Sequence, residues 1–179
     1  MTYYNLNPSE VNGMLKNLGY HVPDDMLKRN FDYYFKRTSH GSTLSRVVHA
    51  YLARLSGNSE ISWDLYIDAL SSDYNDIQGG TTGEGIHVGV MGGTVLLAIT
   101  LFAGLNWQGE ALRLDPDLPP NWNEMQFSFN FRGGEYHFTI IDNKKVKVTY
   151  RSDANKKARI FIKDMVYEVV DKKMIEVDI

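Results

Sequence analysis

The sequence predicts an α+β protein with a helical first part and an antiparallel sheet unit after it, on three observations. Leu44, Val47, Val48, Tyr51, Leu52 and Leu55 recur at steps of three and four, the spacing that gathers one stripe on a helix. From Met125 the period becomes two: Met125, Phe127, Phe129 and Phe131 alternate with Gln126, Ser128, Asn130 and Arg132, as in a half-buried strand. Between the two regimes lies Asp115-Pro116-Asp117-Leu118-Pro119-Pro120, a turn-rich stretch where the compositional character changes.

The remaining elements follow in chain order. Asn7 suits a helix N-cap, Pro8 the first helical position and Glu10 the third, so a short helix should carry Val11, Met14, Leu15 and Leu18 on one side. A second helix should start after Pro23, with Asp24 and Asp25 in its first turn, and run through Met26, Leu27, Asn30 and Phe31 toward Tyr34. The Leu44–Leu55 stripe forms the third. Ile61, Trp63, Tyr66, Ile67 and Leu70 repeat the helical pattern more loosely, and Val90–Phe102 reads as a largely buried helix. In the second part Gly133-Gly134 allows a reversal, and Tyr136, Phe138 and Ile140 continue the alternation. Further strands are expected around Val146–Tyr150, Ala158–Ile162 and Val166, with turns at Asp142-Asn143 and Asp171-Lys172. Helices apolar on one side must hide that side. The long polar, glycine-containing connections here make a closed helical domain unconvincing, so either the helices pack on the sheet or the chain is part of something larger.

Composition is that of an ordinary folded protein, with 43% hydrophobic and 23% charged residues among 179. A net charge of -3 offers no broad cationic surface for nucleic acid. The basic runs at Lys144, Lys145, Lys147 and at Lys156, Lys157, Arg159 read as solvated strand faces. The absence of cysteine excludes disulfides and thiolate metal sites. No compact set of histidines and carboxylates has metal-ligand spacing, so no metal or cofactor is expected. The first residues lack the basic and apolar regions of a secretory signal, and Val95–Ala103 is too short to span a bilayer. A soluble cytoplasmic protein is the default these features set.

Two polar segments do not fit a packing account. Thr38-Ser39-His40-Gly41-Ser42-Thr43-Leu44-Ser45 precedes the clearest helix, gathering hydroxyls, a glycine and an imidazole where backbone N–H groups lack internal partners. Such a place suits an oxyanion such as phosphate, or Ser42 or Thr43 simply caps the helix. The second segment runs from Asp73 to Thr94 and is dense in glycine. It has no Walker lysine and no preceding strand for a dinucleotide fold, so its glycines serve a tight loop or the close approach of a ligand. His87 could donate to an anion or be a satisfied polar group; Glu84 could stand near a reaction centre or hold the loop; Asp73 and Asp76 read as helix-terminus or loop groups. Trp63, Trp107 and Trp122 could stack on sugars or serve the core.

Asn30-Phe31-Asp32-Tyr33-Tyr34 followed by Arg37–Ser45, then Asp76-Ile77-Gln78-Gly79-Gly80-Thr81-Thr82-Gly83-Glu84-Gly85-Ile86-His87, then Leu114–Pro119 with Trp122, together resemble glycoside hydrolase family 65, which contains maltose, trehalose, kojibiose and nigerose phosphorylases. The resemblance runs from about residue 30 to 130. It implies that residues 1–113 are the last helices of an (α/α)6 barrel and that residues 114–179 are a β-sandwich C-terminal domain. It implies the chemistry of an inverting disaccharide phosphorylase, in which a glutamic acid protonates the glycosidic oxygen and inorganic phosphate attacks the anomeric carbon from the opposite face. The products from an α-linked glucose disaccharide are β-glucose 1-phosphate and glucose. By resemblance the phosphate contacts fall on Gly41, Ser42, Gly80, Thr81, Thr82 and His87, with His40, Thr43, Gln78 and Glu84 in support. The acid's motif would lie upstream of Met1, so no catalytic residue is assigned and the isolated chain is expected to be inactive. Maltose is only a nominal first choice of substrate. The expected partners are carbohydrate, phosphate, and an N-terminal barrel fragment or a second copy, with neither nucleic acid nor membrane. The other readings are a split-enzyme subunit, a noncatalytic carbohydrate-binding or structural remnant, and the tail of a related hydrolase.

Overall fold

The computed structural model describes residues 2–6, 8–76, 83, 85–153 and 157–179, in two compact units, Met1–Leu97 and Ala98–Ile179. The first is helical: α1 (Thr2–Asn5), α2 (Pro8–Asn17), α3 (Met26–Phe35), α4 (Thr43–Leu55), α5 (Ser59–Leu70), α6 (Ser72–Asn75) and α7 (Val88–Leu97). Helix α4 organises it. Val47 and Val48 of the expected stripe are buried together with Ala50 and Ala53, which lie outside it, whereas Leu44 is exposed and Tyr51, Leu52 and Leu55 are half-buried. The buried face is thus turned from the expected one toward the alanines, whose small side chains let neighbours come close. On one side α5 is pinned by the buried Ser62, whose hydroxyl donates to the Ala50 carbonyl at 2.8 Å. On another α7 packs so tightly that a Cβ on Gly93 would stand 2.9 Å from Val47 Cγ1. The C-terminus of α4 closes with Gly57 at φ +84°, the Gly57 N–H bonding the Arg54 carbonyl and the Asn58 N–H that of Ala53. This satisfies carbonyls the helix itself leaves open.

Several sequence expectations shift in detail. Of the stripe expected on α2 only Val11 is buried; Met14 is exposed, as is Leu18, which lies just past the end of the helix. Val90, Thr94 and Leu97 of α7 are buried, but Val95 and Leu96 stand in solvent, so the helix is not largely buried; a π-helical turn, Ala98–Phe102, follows it.

The second unit contains two four-stranded sheets. One has the order β1-β2-β6-β7, formed by Leu105–Asn106, Leu112–Leu114, Lys157–Ile162 and Met165–Val170. The other has the order β3-β4-β5-β8, formed by Glu124–Phe131, Gly134–Ile141, Lys145–Ser152 and Met174–Asp178. Pairing is antiparallel except between β2 and β6. The alternation places Tyr136, Phe138, Ile140, Val146, Val148 and Tyr150 in the core with Leu112, Leu114, Ile160, Ile162 and Val169 from the other sheet. Burying each such aliphatic or aromatic side chain contributes roughly 1.5–3 kcal/mol before the entropy of ordering is charged against it.

The β3–β4 reversal is made by Arg132 and Gly133, both at positive φ, rather than by the glycine pair. Gly134 is instead the buried first residue of β4, where a Cβ would stand 2.3 Å from the Tyr150 ring. Asp142 and Asn143, both in the left-handed region, form the expected β4–β5 turn, and Asp171-Lys172 lie between β7 and β8. The compositional change at Asp115 falls inside this unit, because β1 and β2 precede it. Among the described residues no helix is long and apolar enough to cross a membrane.

Candidate functional site

The turn entering α4 is held from behind by a polar and aromatic cluster. Thr38 Oγ1 donates to the Tyr34 carbonyl at 2.8 Å, finishing α3, and stands 3.3 Å from His49 Nε2. His40 takes the left-handed conformation, φ +49°, and its Nδ1 lies 3.1 Å from Ser45 Oγ. Ser45 in turn contacts His49 one helical turn later, at 3.3 Å to Nδ1. The two imidazoles meet edge to face with centroids 4.9 Å apart, and Phe35 flanks both. Burial above all, then His49 and Arg46, lowers the His40 pKa, with Asp68 opposing. His40 thus braces the turn through Ser45 and His49. Thr38 and His49 also border a cleft of about 480 Å³ between α1, α3 and α4.

In front of this brace Gly41 and Ser42 are exposed. Ser42 is the N-cap of α4 with extended backbone, φ -129° and ψ 138°, yet its side chain makes no capping bond. Capping by Ser42, one of the two readings open from sequence, is thus absent from the structure, and the helix start is exposed. Thr43 is buried, 4% exposed.

His87 immediately precedes α7, its carbonyl accepting from Val90 at 2.9 Å and Met91 at 3.1 Å. Asp73, on α6, grips it twice: Oδ2 accepts the His87 backbone N–H at 2.8 Å and Oδ1 meets Nδ1 at 2.5 Å. Bonding from the His87 ring holds the Asp73 carboxyl below its usual range, against partial desolvation, and the backbone N–H and the ring's charge add to the effect. The grip ties together the two ends of the glycine-dense segment. Gln78, Gly80, Thr81, Thr82 and Glu84, expected in or beside the phosphate site, lie outside the described residues.

The structure brings His40 to Ser45 and His49, and His87 to Asp73. Among the described residues no hydrogen bond joins His87 to the Gly41–Thr43 turn. What connects their elements is the packing of α4 on α7 at Val47 and Gly93. Sequence reasoning missed Ser45 and His49 as members of the brace, although their spacing of four on one helix was a usable signal. It read Asp73 only as a terminus or loop group, and nothing in a separation of fourteen residues points to its contact.

The family model described as the glycosyl hydrolase family 65 central catalytic domain matches residues 1–96, and the one described as the glycosyl hydrolase family 65 C-terminal domain matches residues 105–169. The chain belongs to glycosyl hydrolase family 65. A trehalose 6-phosphate phosphorylase of Lactococcus lactis is 41% identical over 153 residues, which are 86% of this chain and 20% of that protein. A kojibiose phosphorylase of Caldanaerobacter subterraneus is 32% identical over 130 residues, 69% of this chain and 17% of that one. A solved structure provisionally named a kojibiose phosphorylase from the human microbiome superposes with a TM-score of 0.72 at 27% identity, over 86% of this chain and 20% of that chain. This chain spans 12% to 20% of the length of the curated relatives it matches. Its architecture is that of family 65: helices from an α/α toroid followed by a C-terminal antiparallel sheet domain.

Proposed function

We propose that this chain carries the phosphate-binding end of a family 65 inverting disaccharide phosphorylase, together with its C-terminal domain. The observation that carries the reading is the exposed Gly41-Ser42 turn at the start of α4, with a serine side chain that does not cap. His87 joins it as the second anion-binding group, with Gly80, Thr81 and Thr82 completing or shaping the pocket. Inorganic phosphate is the cosubstrate. Backbone N–H groups of the turn, the Ser42 hydroxyl and the His87 ring bind its oxygens and offset their charge, so that one oxygen is held in line with the anomeric carbon. Departure of the second sugar needs a proton on the glycosidic oxygen. No carboxylate of this chain is assigned that task; a glutamic acid in the remainder of the catalytic domain supplies it, and the chain alone does not turn over.

The 41% identity to a trehalose 6-phosphate phosphorylase makes trehalose 6-phosphate the first substrate to try, ahead of maltose, trehalose and kojibiose. Attack by phosphate on its unphosphorylated glucosyl carbon would yield glucose 1-phosphate and glucose 6-phosphate. The partner is the rest of an α/α barrel, because Tyr74, Val88 and Val95 leave apolar surface open on the helical unit. Without that cover the chain self-associates.

Titrating inorganic phosphate into the ¹⁵N-labelled chain tests the site. The amides of Gly41, Ser42 and His87 are expected to respond together, and Ser42→Ala and His87→Ala each to weaken binding roughly tenfold, as loss of one charge-assisted bond does. Unchanged affinity in both variants contradicts the assignment.

A further inference from the structure

Resting on that phosphate reading, we infer that Asp73 is the positioning residue of the site: it fixes which nitrogen of His87 faces the ligand. The structural warrant is the double grip. A single carboxylate takes both the backbone N–H of His87, at 2.8 Å, and the ring Nδ1, at 2.5 Å, so the backbone and the ring are anchored to the same group. An ionised carboxylate has no proton to give. Nδ1 therefore carries a hydrogen in every form of the ring, and Nε2 is the nitrogen turned to an external partner; it donates to a phosphate oxygen when it carries a hydrogen too, so the imidazolium is the form that binds. A histidine whose Nδ1 is occupied in this way is locked in tautomer and in ring direction, as in the carboxylate–histidine pairs that orient metal ligands and catalytic bases.

The location suits a positioning role. Asp73 belongs to α6, directly behind α5, and the side chains of Asp73 and His87 are 13% and 31% exposed, so the carboxylate sits deeper than the ring it holds. It also stands at the N-terminus of α7, where the unpaired N–H groups favour a negative charge. A purely structural cap would need only the backbone bond; the second oxygen on the ring is what a cap does not require.

The test uses the chain as it is. Long-range ¹H–¹⁵N spectra of the His87 ring report which nitrogen is protonated, and Asp73→Asn and Asp73→Glu are compared with the wild type by the same spectra, by circular dichroism and by titration with inorganic phosphate. The expected result is Nδ1–H in the neutral wild-type ring, recorded at alkaline pH without phosphate, loss of that preference in Asp73→Asn with the helical signal retained, and phosphate affinity roughly tenfold weaker in that variant, as for other orienting partners of a histidine. Asp73→Glu restores the tautomer and part of the affinity. A neutral wild-type ring with its hydrogen on Nε2 and none on Nδ1, or an Asp73→Asn chain with the same tautomer and affinity, overturns the inference. A locked Nδ1–H tautomer with no phosphate response even in the wild type overturns both the phosphate reading and the role given to Asp73 there, while a response that Asp73→Asn leaves untouched overturns the role alone.

Discussion

The two units of this chain solve the same burial problem unequally. In the sheet unit the apolar faces of two sheets meet, and of its large apolar side chains only Met165, Val166 and Met174 are prominently exposed among the described residues. The helical unit buries one face of α4 against α5 and α7, yet leaves Leu18, Tyr74, Ile86, Val88 and Val95 in solvent, Tyr74 at 94% and Val88 at 76%. Alternation along a strand gives each sheet a face that a second sheet can cover. A helix of a barrel has neighbours on two sides and a layer beyond, and a few helices cannot supply all of them. The sheet unit thus covers more of its apolar surface by itself than the helical unit does, and on the proposed function the rest of the barrel covers the remainder.

The largest expected effect breaks the better-covered half. Gly104 lies at φ +64°, and a Cβ there would be 1.9 Å from the Asp115 carbonyl oxygen. Gly104→Ala should destabilise the sheet unit by about 3 kcal/mol or more, from combined backbone strain and overpacking, measured by urea denaturation followed in the near-ultraviolet. In the helical half Gly93→Ala presses on Val47 and should cost about 1–2 kcal/mol, the gain in helix propensity offsetting part of the clash. The open surface gives a different signature. Val88→Ser with Val95→Lys should shift sedimentation from self-associated species to monomer while changing stability by no more than about 0.5 kcal/mol. Equivalent changes at Met165 and Met174 should leave the association state as it was.

Electrostatic effects are smaller. The Asp73 carboxyl is held below its usual range in the folded chain, so its contribution is present in full above the ordinary carboxylate pKa and is lost as the pH falls through the lowered folded-state value. Acid titration of the helical signal should show this loss, and Asp73→Asn should flatten it. In the sheet unit Glu176 meets Lys145 at 2.6 Å and Lys147 at 3.3 Å on an exposed face. Glu176→Gln should change stability by less than about 1 kcal/mol, and the difference should fade in high salt.

The sequence was most legible where one period dominates. Period two from Met125 onward placed β3, β4 and β5, because burial on one face leaves that mark directly in residue order. The three-and-four spacing of Leu44–Leu55 placed α4 but not its buried face, since alanines at 50 and 53 carry too little hydrophobic signal to mark it. Strands β1 and β2, two and three residues long, are too short to show a period, and the parallel pairing of β2 with β6 joins residues nearly fifty apart. The β3–β4 turn was displaced by one residue because either glycine could reverse the chain; packing of Gly134 under Tyr150 decides between them. At the site, the hydroxyl-rich turn was visible as composition at a helix start. The Asp73 grip was not, since a carboxylate's partner is set by the path of the chain between residues 73 and 87 and carries no local pattern.

The central claim, that of the proposed function, is that this chain holds a phosphate site whose use in turnover needs the rest of a family 65 catalytic domain. The most direct measurement is phosphate-dependent release of glucose 1-phosphate from trehalose 6-phosphate and other α-linked glucose disaccharides, by the chain alone and by the chain combined with the unmatched portion of the Lactococcus relative. The account predicts no release by the chain alone, and release by the combination that Ser42→Ala and His87→Ala each reduce. Turnover by the chain alone, or activity in the combination that is indifferent to Ser42 and His87, would contradict it.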